Sequence, residues 1–176
     1  MIPALGLGFM DVTIRHCCPD DYEKIAEIYN ESIQRGGITF DEEQFNAVRI
    51  ERWMSGMNDR EGLWVIEHNQ VLGWGILKRY SDRPAYWRTA ESSIYLLDAY
   101  RGQGYGRQLQ TELLSQAQTL QYHHIVAKIV ASNQSSIVFH QQFGYEIIGI
   151  QKEVGFSKGR WYDVAILQCI LSDLAD

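Results

Sequence analysis

The chain has 176 residues, 45% of them hydrophobic, with 5 Trp, 10 Tyr and 6 Phe, enough apolar surface for one sizeable core and no room for a second domain. Its formal net charge of -6 argues against a nucleic-acid surface built on Lys and Arg, which depends on neutralising phosphates. Cys17, Cys18 and Cys169 form neither a disulfide framework nor a metal spacing, and the histidines are equally scattered, so no metal is expected and a reducing, cytoplasmic setting is.

Met1 to Met10 is apolar and glycine-containing, lacks a basic n-region and is too short to span a bilayer, so it reads as a mobile extension. One domain is expected over 11–176, with no membrane partner. Asp11 to His16 reads as a first strand. Pro19-Asp20-Asp21 then opens a helix with acidic residues at its positive dipole end. Tyr22, Ile25, Ala26, Tyr29 and Ile33 mark the buried face of that helix, and Gly36-Gly37 ends it. A second helix is expected from Asp41 to Met57. Leu63 to Glu67 and Val71 to Lys78 read as strands of an antiparallel hairpin joined by His68-Asn69-Gln70. Tyr80 to Trp87 is a loop, and Thr89 to Leu97 the strand that follows it.

That strand runs into Arg101-Gly102-Gln103-Gly104-Tyr105-Gly106 and then a helix with Leu109, Leu113, Ala117 and Leu120 along one face. Alternate glycines free the backbone to turn several N–H groups inward, and the first helical turn adds unpaired donors and a positive dipole end. Such a turn binds an anion, most naturally a pyrophosphate. It is neither a Walker loop, which ends Gly-Lys-Ser/Thr, nor the G-x-G-x-x-G dinucleotide fingerprint. Farther on, Ile125 to Ala131 alternates as a half-buried strand, Ser132 to Phe143 is a short helix and Gly144 ends it. Two strands, Tyr145 to Val154 and Trp161 to Leu171, close the chain, linked by Gly155 to Arg160. His123 and His124 match no motif and read as surface residues.

With its Arg-Gly-Gln-Gly-Tyr-Gly turn the chain resembles the GNAT acetyltransferase superfamily, whose equivalent segment holds the pyrophosphate of acetyl-CoA. The order strand, two helices, three strands, helix, strand, helix, two strands is also that superfamily's. Within it, the chain is most similar to the phosphinothricin and methionine sulfoximine N-acetyltransferases. Thr89, Glu91, Ser93 and Tyr95 carry a Thr-x-Glu-x-Ser-x-Tyr strand, and Asn133, Ser136 and His140 an Asn-x-x-Ser-x-x-x-His helix. The tail from Val154-Gly155-Phe156 through Gly159-Arg160-Trp161-Tyr162-Asp163-Val164 is similar as well. The resemblance implies an α/β (α+β) fold with a mixed, mostly antiparallel sheet of about seven strands flanked by about four helices. It also implies a homodimer, with the Gly155 to Asp163 hairpin as a candidate contact.

Acetyl transfer to an amine requires loss of the amine proton, donors for the oxyanion and a proton for the departing thiolate. The resemblance makes Glu91 the general base, with an exposed strand-end carboxylate as the competing assignment. Ile94, Tyr95 and Leu96 lie where the family's strand backbone binds the pantetheine arm. The oxyanion donor is expected near Tyr95, whose side chain faces the acceptor or is structural. Arg101, Gly102, Gln103, Gly104, Tyr105 and Gly106 form the pyrophosphate cradle, with the Arg101 side chain either a charge contact or solvated. Asn133 and Ser136 lie on the cofactor side of their helix. His140 stands where relatives place the group that protonates the thiolate, with a structural histidine as the alternative. Phe40, Trp74, Tyr80 and Arg83 are the acceptor candidates, the arginine as a clamp for a carboxylate, and each aromatic has a plain core alternative. Relatives often have Arg-Pro where this chain has Ser81-Asp82. The expected activity is direct acetylation of a small amino acid or analogue. The alternatives are a peptide N-terminus or polyamine acceptor, or a noncatalytic acyl-CoA-binding module.

Overall fold

A computed structural model describes residues 12–172. The expected extension over 1–10 and the first residue of the expected strand, Asp11, lie outside the described residues. Seven strands form one sheet: β1 (Thr13–His16), β2 (Gly62–His68), β3 (Gln70–Arg79), β4 (Thr89–Leu96), β5 (His124–Val130), β6 (Glu146–Ser157) and β7 (Arg160–Ile170), in the order β1-β2-β3-β4-β5-β7-β6. Among the described residues there are four α-helices, α1 (Tyr22–Arg35), α2 (Ala47–Ser55), α3 (Tyr105–Thr119) and α4 (Gln134–Gln141). All neighbouring strands are antiparallel except β4 and β5. The expected fold is therefore the one found.

Helices pack on both faces because the strands alternate their side chains. On one face α1 and α2 bury Ile25, Ile28, Ile33 and Ile50 against Leu63, Val65, Trp74 and Ile76. On the other, Leu113 and Ala117 of α3 and Ile137 of α4 meet Leu77, Ile125, Ala127 and Leu167. β5 is more fully buried than its alternation suggested, with Lys128 alone exposed and His124 half-buried. Arg15 ties β1 to the start of α1 through a bidentate pair with Asp21, at 2.7 and 2.9 Å.

The boundaries differ from the expected ones in two informative places. The second helix begins at Ala47, not Asp41, because tertiary contacts hold the preceding residues out of helix. Asn30 accepts from the Phe45 amide at 2.8 Å and donates to its carbonyl at 2.9 Å, and Asn46 caps α2 by accepting from Arg49 N–H at 3.0 Å. The segment Gly155 to Arg160, expected as a linker, is mostly strand. Ser157 pairs directly with Arg160, and Lys158 and Gly159 both take positive φ, as a two-residue hairpin turn requires. The tip of this hairpin is tied to the loop over 36–46: Ser157 donates to Glu42 at 2.7 Å, and the Lys158 amide donates to it at 3.2 Å.

Candidate active site

β4 pairs with β3 along its whole length, from Ala90 opposite Arg79 to Leu96 opposite Gly73. With β5 it pairs only at Thr89, Ala90 and Glu91, and the two strands then separate. Leu97 N–H donates to Leu72 and Tyr80 N–H to Thr89. The antiparallel alternation therefore turns the Glu91, Ser93 and Tyr95 amides toward β3 and those of Ile94 and Leu96 toward the opening. The donor expected near Tyr95 thus falls to its two neighbours, whose N–H groups face the opening. A slot of about 50 Å³ lies in the opening, lined in part by Ser93, Ile94, Asn133, Ser136 and His140.

On the α3 and α4 side of the slot is a cleft of about 590 Å³, lined by Ile94, Leu96, Arg101, Gly102, Gly104 and Gly106 among others. Gly102 and Gly104 have φ of +74° and +89°, and a Cβ at either would meet nothing within 4 Å, so the turn presents bare backbone to the space beside it. Gly104 caps α3, whose first-turn amides lack helical partners. Two residues expected in the cradle turn their side chains elsewhere. Gln103 donates to the Ala99 carbonyl at 2.8 Å, and Tyr105 is buried with Ile66, Leu72 and Leu109. Arg107, Ser135, Phe139 and Gln142 line this cleft without having been singled out in the sequence. Arg107 carried a signal: a cation in the first turn of a helix opposes the dipole and so calls for another reason to be there.

On the opposite side is a cleft of about 950 Å³ lined by side chains that include Phe40, Lys78, Tyr80, Glu91, Tyr95 and Lys128. Glu91 is 14% exposed and lies between two ammonium groups, Lys78 Nζ at 3.1 Å from Oε1 and Lys128 Nζ at 2.7 Å from Oε2. Burial pushes its carboxyl up, but the hydrogen bond from Lys128 and the two positive charges outweigh this and hold it below the usual value. Tyr95 stacks at 4.5 Å on Trp74 and edge-on at 4.9 Å to Tyr29, and burial pushes its phenol up to about 12. Phe40 lies over Gly155, where a Cβ would come within 2.3 Å of its ring.

The remaining expected residues divide. Trp74 forms part of the cleft floor but is fully buried, its Nε1–H donating to the Ile25 carbonyl at 3.1 Å. Tyr80 stands exposed at the rim beside Tyr86. Arg83 is exposed in the loop behind that rim and does not line the acceptor-side cleft, which leaves the proposed arginine clamp without support. His124, expected at the surface, is half-buried and lines this cleft. Asn133 caps α4 by accepting from Ser136 N–H at 3.3 Å. His140 is buried, and its Nδ1 lies 2.8 Å from the Ser136 carbonyl, an acceptor, so Nδ1 carries the proton. Burial lowers its pKa against the opposing effect of that bond, so at neutral pH the other nitrogen is an acceptor with no proton to give. This argues against the expected role as thiolate donor. Among the described residues no helix is long and apolar enough to cross a membrane, and no group of three or more His, Cys, Asp or Glu side chains could hold a metal ion.

The chain is similar to known proteins in sequence and in fold. The family model for an acetyltransferase (GNAT) domain matches residues 14–166. An L-methionine sulfoximine/L-methionine sulfone acetyltransferase of Pseudomonas aeruginosa is 29% identical over 163 residues, covering 90% of this chain and 94% of that protein. The crystal structure of a phosphinothricin acetyltransferase from Sinorhizobium meliloti in complex with acetyl-CoA is 32% identical, with a TM-score of 0.86 over 92% of this chain and 89% of that one. A ribosomal-protein-alanine N-acetyltransferase from Brucella melitensis is 30% identical, with a TM-score of 0.87 over 90% and 99%. The chain belongs to the GNAT acetyltransferase family. It is an acyltransferase that uses acetyl-CoA.

Gly73 sets how β4 lies. A Cβ there would come within 2.3 Å of Leu96 Cδ2 and 2.6 Å of the Tyr95 carbonyl oxygen, which the backbone cannot easily yield. Gly73→Ala is expected to cost about 2 kcal/mol of stability, read as a lower urea midpoint with an unchanged slope. An unchanged midpoint would show that β4 is free to shift.

Proposed function

We propose that this chain transfers the acetyl group of acetyl-CoA directly to the amine of a small amino acid or analogue of the methionine sulfoximine or phosphinothricin type, with Glu91 as general base. The observation that carries this reading is the slot between β4 and β5. It joins a glycine-lined cleft with free backbone donors to a cleft whose floor holds an ionised carboxylate. The names of the Pseudomonas and Sinorhizobium relatives support the acceptor class.

The residues of the first cleft suit the cosubstrate. The amides of Gly102 to Arg107 and the Arg101 and Arg107 side chains would hold the pyrophosphate, and the open β4 edge at Ile94 and Leu96 would take the pantetheine amides as a further strand takes its neighbour. Asn133 and Ser136 line the slot on its helix side. Acetyl-CoA, when bound, supplies an activated acetyl group. The Ile94 or Leu96 N–H stabilises the negative charge that develops on the carbonyl oxygen, because it is fixed in place and has no competing partner. Glu91 accepts the amine proton, directly or through one water, as the amine nitrogen bonds to the acetyl carbon; the carbon–sulfur bond then breaks and the coenzyme A thiolate leaves, taking its proton from water. An acyl-cysteine carrier has no support, since none of Cys17, Cys18 and Cys169 lines either cleft or the slot; Cys17 packs on Met54, where burial pushes it up to about 11, and burial also raises Cys169. Three unpaired cysteines are also in keeping with a reducing, cytoplasmic setting.

A peptide N-terminus is the second reading, favoured by the Brucella relative. Homodimerisation is proposed through β6 and β7. β6 is the terminal strand, and Ile148, Phe156, Trp161 and Ile170 on this hairpin are more than half exposed. Sedimentation of the wild type as a monomer would refute it.

Release of free CoA thiol from acetyl-CoA across methionine sulfone, methionine sulfoximine, phosphinothricin and short peptides tests the acceptor. Turnover confined to the amino-acid analogues is expected, and turnover of peptides alone would replace this reading with the second. Because its folded pKa is held below the usual carboxylate value, Glu91 is ionised at neutral pH and above and is available there to take the amine proton. Glu91→Gln is expected to lower kcat/KM by about 100-fold at neutral pH and progressively less as the amine loses its own proton. A loss independent of pH would refute the role of base.

A further inference from the structure

Glu91 has more positive charge around it than it needs. One ammonium at 2.7 Å would satisfy its electrostatics, yet Lys78 and Lys128 both reach it, one on each oxygen. They arrive from different strands. Lys78 is the cross-strand partner of Glu91 on β3, and Lys128 lies two residues beyond Val126, the β5 partner of Glu91, on the same face. The carboxylate is 14% exposed whereas the lysine side chains are 39% and 47% exposed, so the ammonium groups stand on the open side of the cluster. Each has three N–H donors and commits one to Glu91.

The other titratable groups of this cleft do not cancel the excess. Asp41 accepts from Tyr29 O–H at 2.6 Å and lies 3.8 Å from Arg49, its own counter-charge. His124 is held below its usual value by burial and by the neighbouring His123, so it is neutral at neutral pH. Tyr29 and Tyr95 are shifted upward and stay neutral. The floor is thus left with two positive charges and one negative.

We propose that Lys78 and Lys128 form an anion subsite that binds the carboxylate of the acceptor, making them the residues that select a zwitterionic amino acid over a cationic or carboxyl-blocked amine. This rests on the acetyl-transfer reading above. In an α-amino acid the ammonium and carboxylate share one carbon. An ammonium placed beside Glu91 therefore carries its carboxylate to within reach of ammonium groups that are themselves about 3 Å from Glu91, and the four charges alternate in sign. A polyamine brings a second cation to that position, and a peptide N-terminus brings an uncharged amide.

The test compares kcat/KM for methionine sulfone and for its carboxamide, at a pH where both amines are mostly free, in the wild type, Lys78→Met, Lys128→Met, the double variant and Lys128→Arg. Any change in Glu91 basicity affects both acceptors and cancels in the acid-to-amide ratio. The wild type is expected to favour the acid by roughly 10- to 100-fold. Each Met variant lowers that ratio, the double variant brings it near unity, and Lys128→Arg retains most of it. A wild-type ratio near unity overturns the subsite, as does a double variant that still turns over with the ratio intact. Should the variants fail to fold, the wild-type ratio, with spermidine as a cationic acceptor, decides alone. Turnover of the amide with no discrimination removes the subsite and leaves the function standing. Silence toward every amine, with acetyl-CoA bound, removes the function and the subsite together.

Discussion

The parting of β4 from β5 after Glu91 is the constraint on which the rest depends. A strand inside a sheet normally satisfies its backbone on both sides, and unpaired edge groups in a protein interior are costly. Here β3 holds one side of β4 to its end, while the other side is released at Ile94 and Leu96. The released edge opens onto both faces of the sheet at one point. Everything that surrounds it serves to keep that edge open and straight. Gly73 lets β3 lie close beneath Leu96, Gly75 leaves room for Leu113 of α3, and β7 holds β5 from His124 to Val130 on its far side.

Two clefts of different chemistry meet at this opening. The helix side offers backbone amides with positive-φ glycines and the N-terminus of α3, a surface suited to phosphate oxygens and an extended amide-bearing chain. The other side offers aromatic walls and a Lys-Glu-Lys floor. The loop that carries Phe40 and Asp41 is fastened by Glu42 to the β6–β7 hairpin tip and by Asp41 to Tyr29 of α1. The acceptor wall and the hairpin therefore touch at two places, Glu42 on the hairpin tip and Phe40 over Gly155.

What was legible in the sequence was whatever the local chain fixes. The glycine turn reads directly, since Gly102 and Gly104 are needed for their positive φ, and the apolar spacing of α1 and α3 matches their buried faces. The family resemblance singled out Glu91, and alternation placed Tyr95 opposite Ile94 and Leu96. What was not legible depends on how strands meet across the sheet. Lys78 comes to Glu91 only through the β3–β4 register, and Lys128 only through the short parallel pairing with β5. The free donors at Ile94 and Leu96 follow from the phase of the β3–β4 hydrogen bonds, which no single strand carries. Arg83 and the start of α2 went astray because loop direction and the pull of Asn30 and Tyr29 are tertiary facts.

The central claim is that the edge of β4 is open at two alternate residues and takes the cosubstrate as a strand takes its neighbour. Amide hydrogen exchange along β4, resolved residue by residue by NMR with and without acetyl-CoA, tests it most directly. The account predicts that Ser93 and Tyr95 are protected in both states, while Ile94 and Leu96 exchange quickly in the free protein and slow by about 10-fold or more when acetyl-CoA binds. Ile94 and Leu96 amides already protected in the free protein, or protection arising at Tyr95 instead, would contradict it.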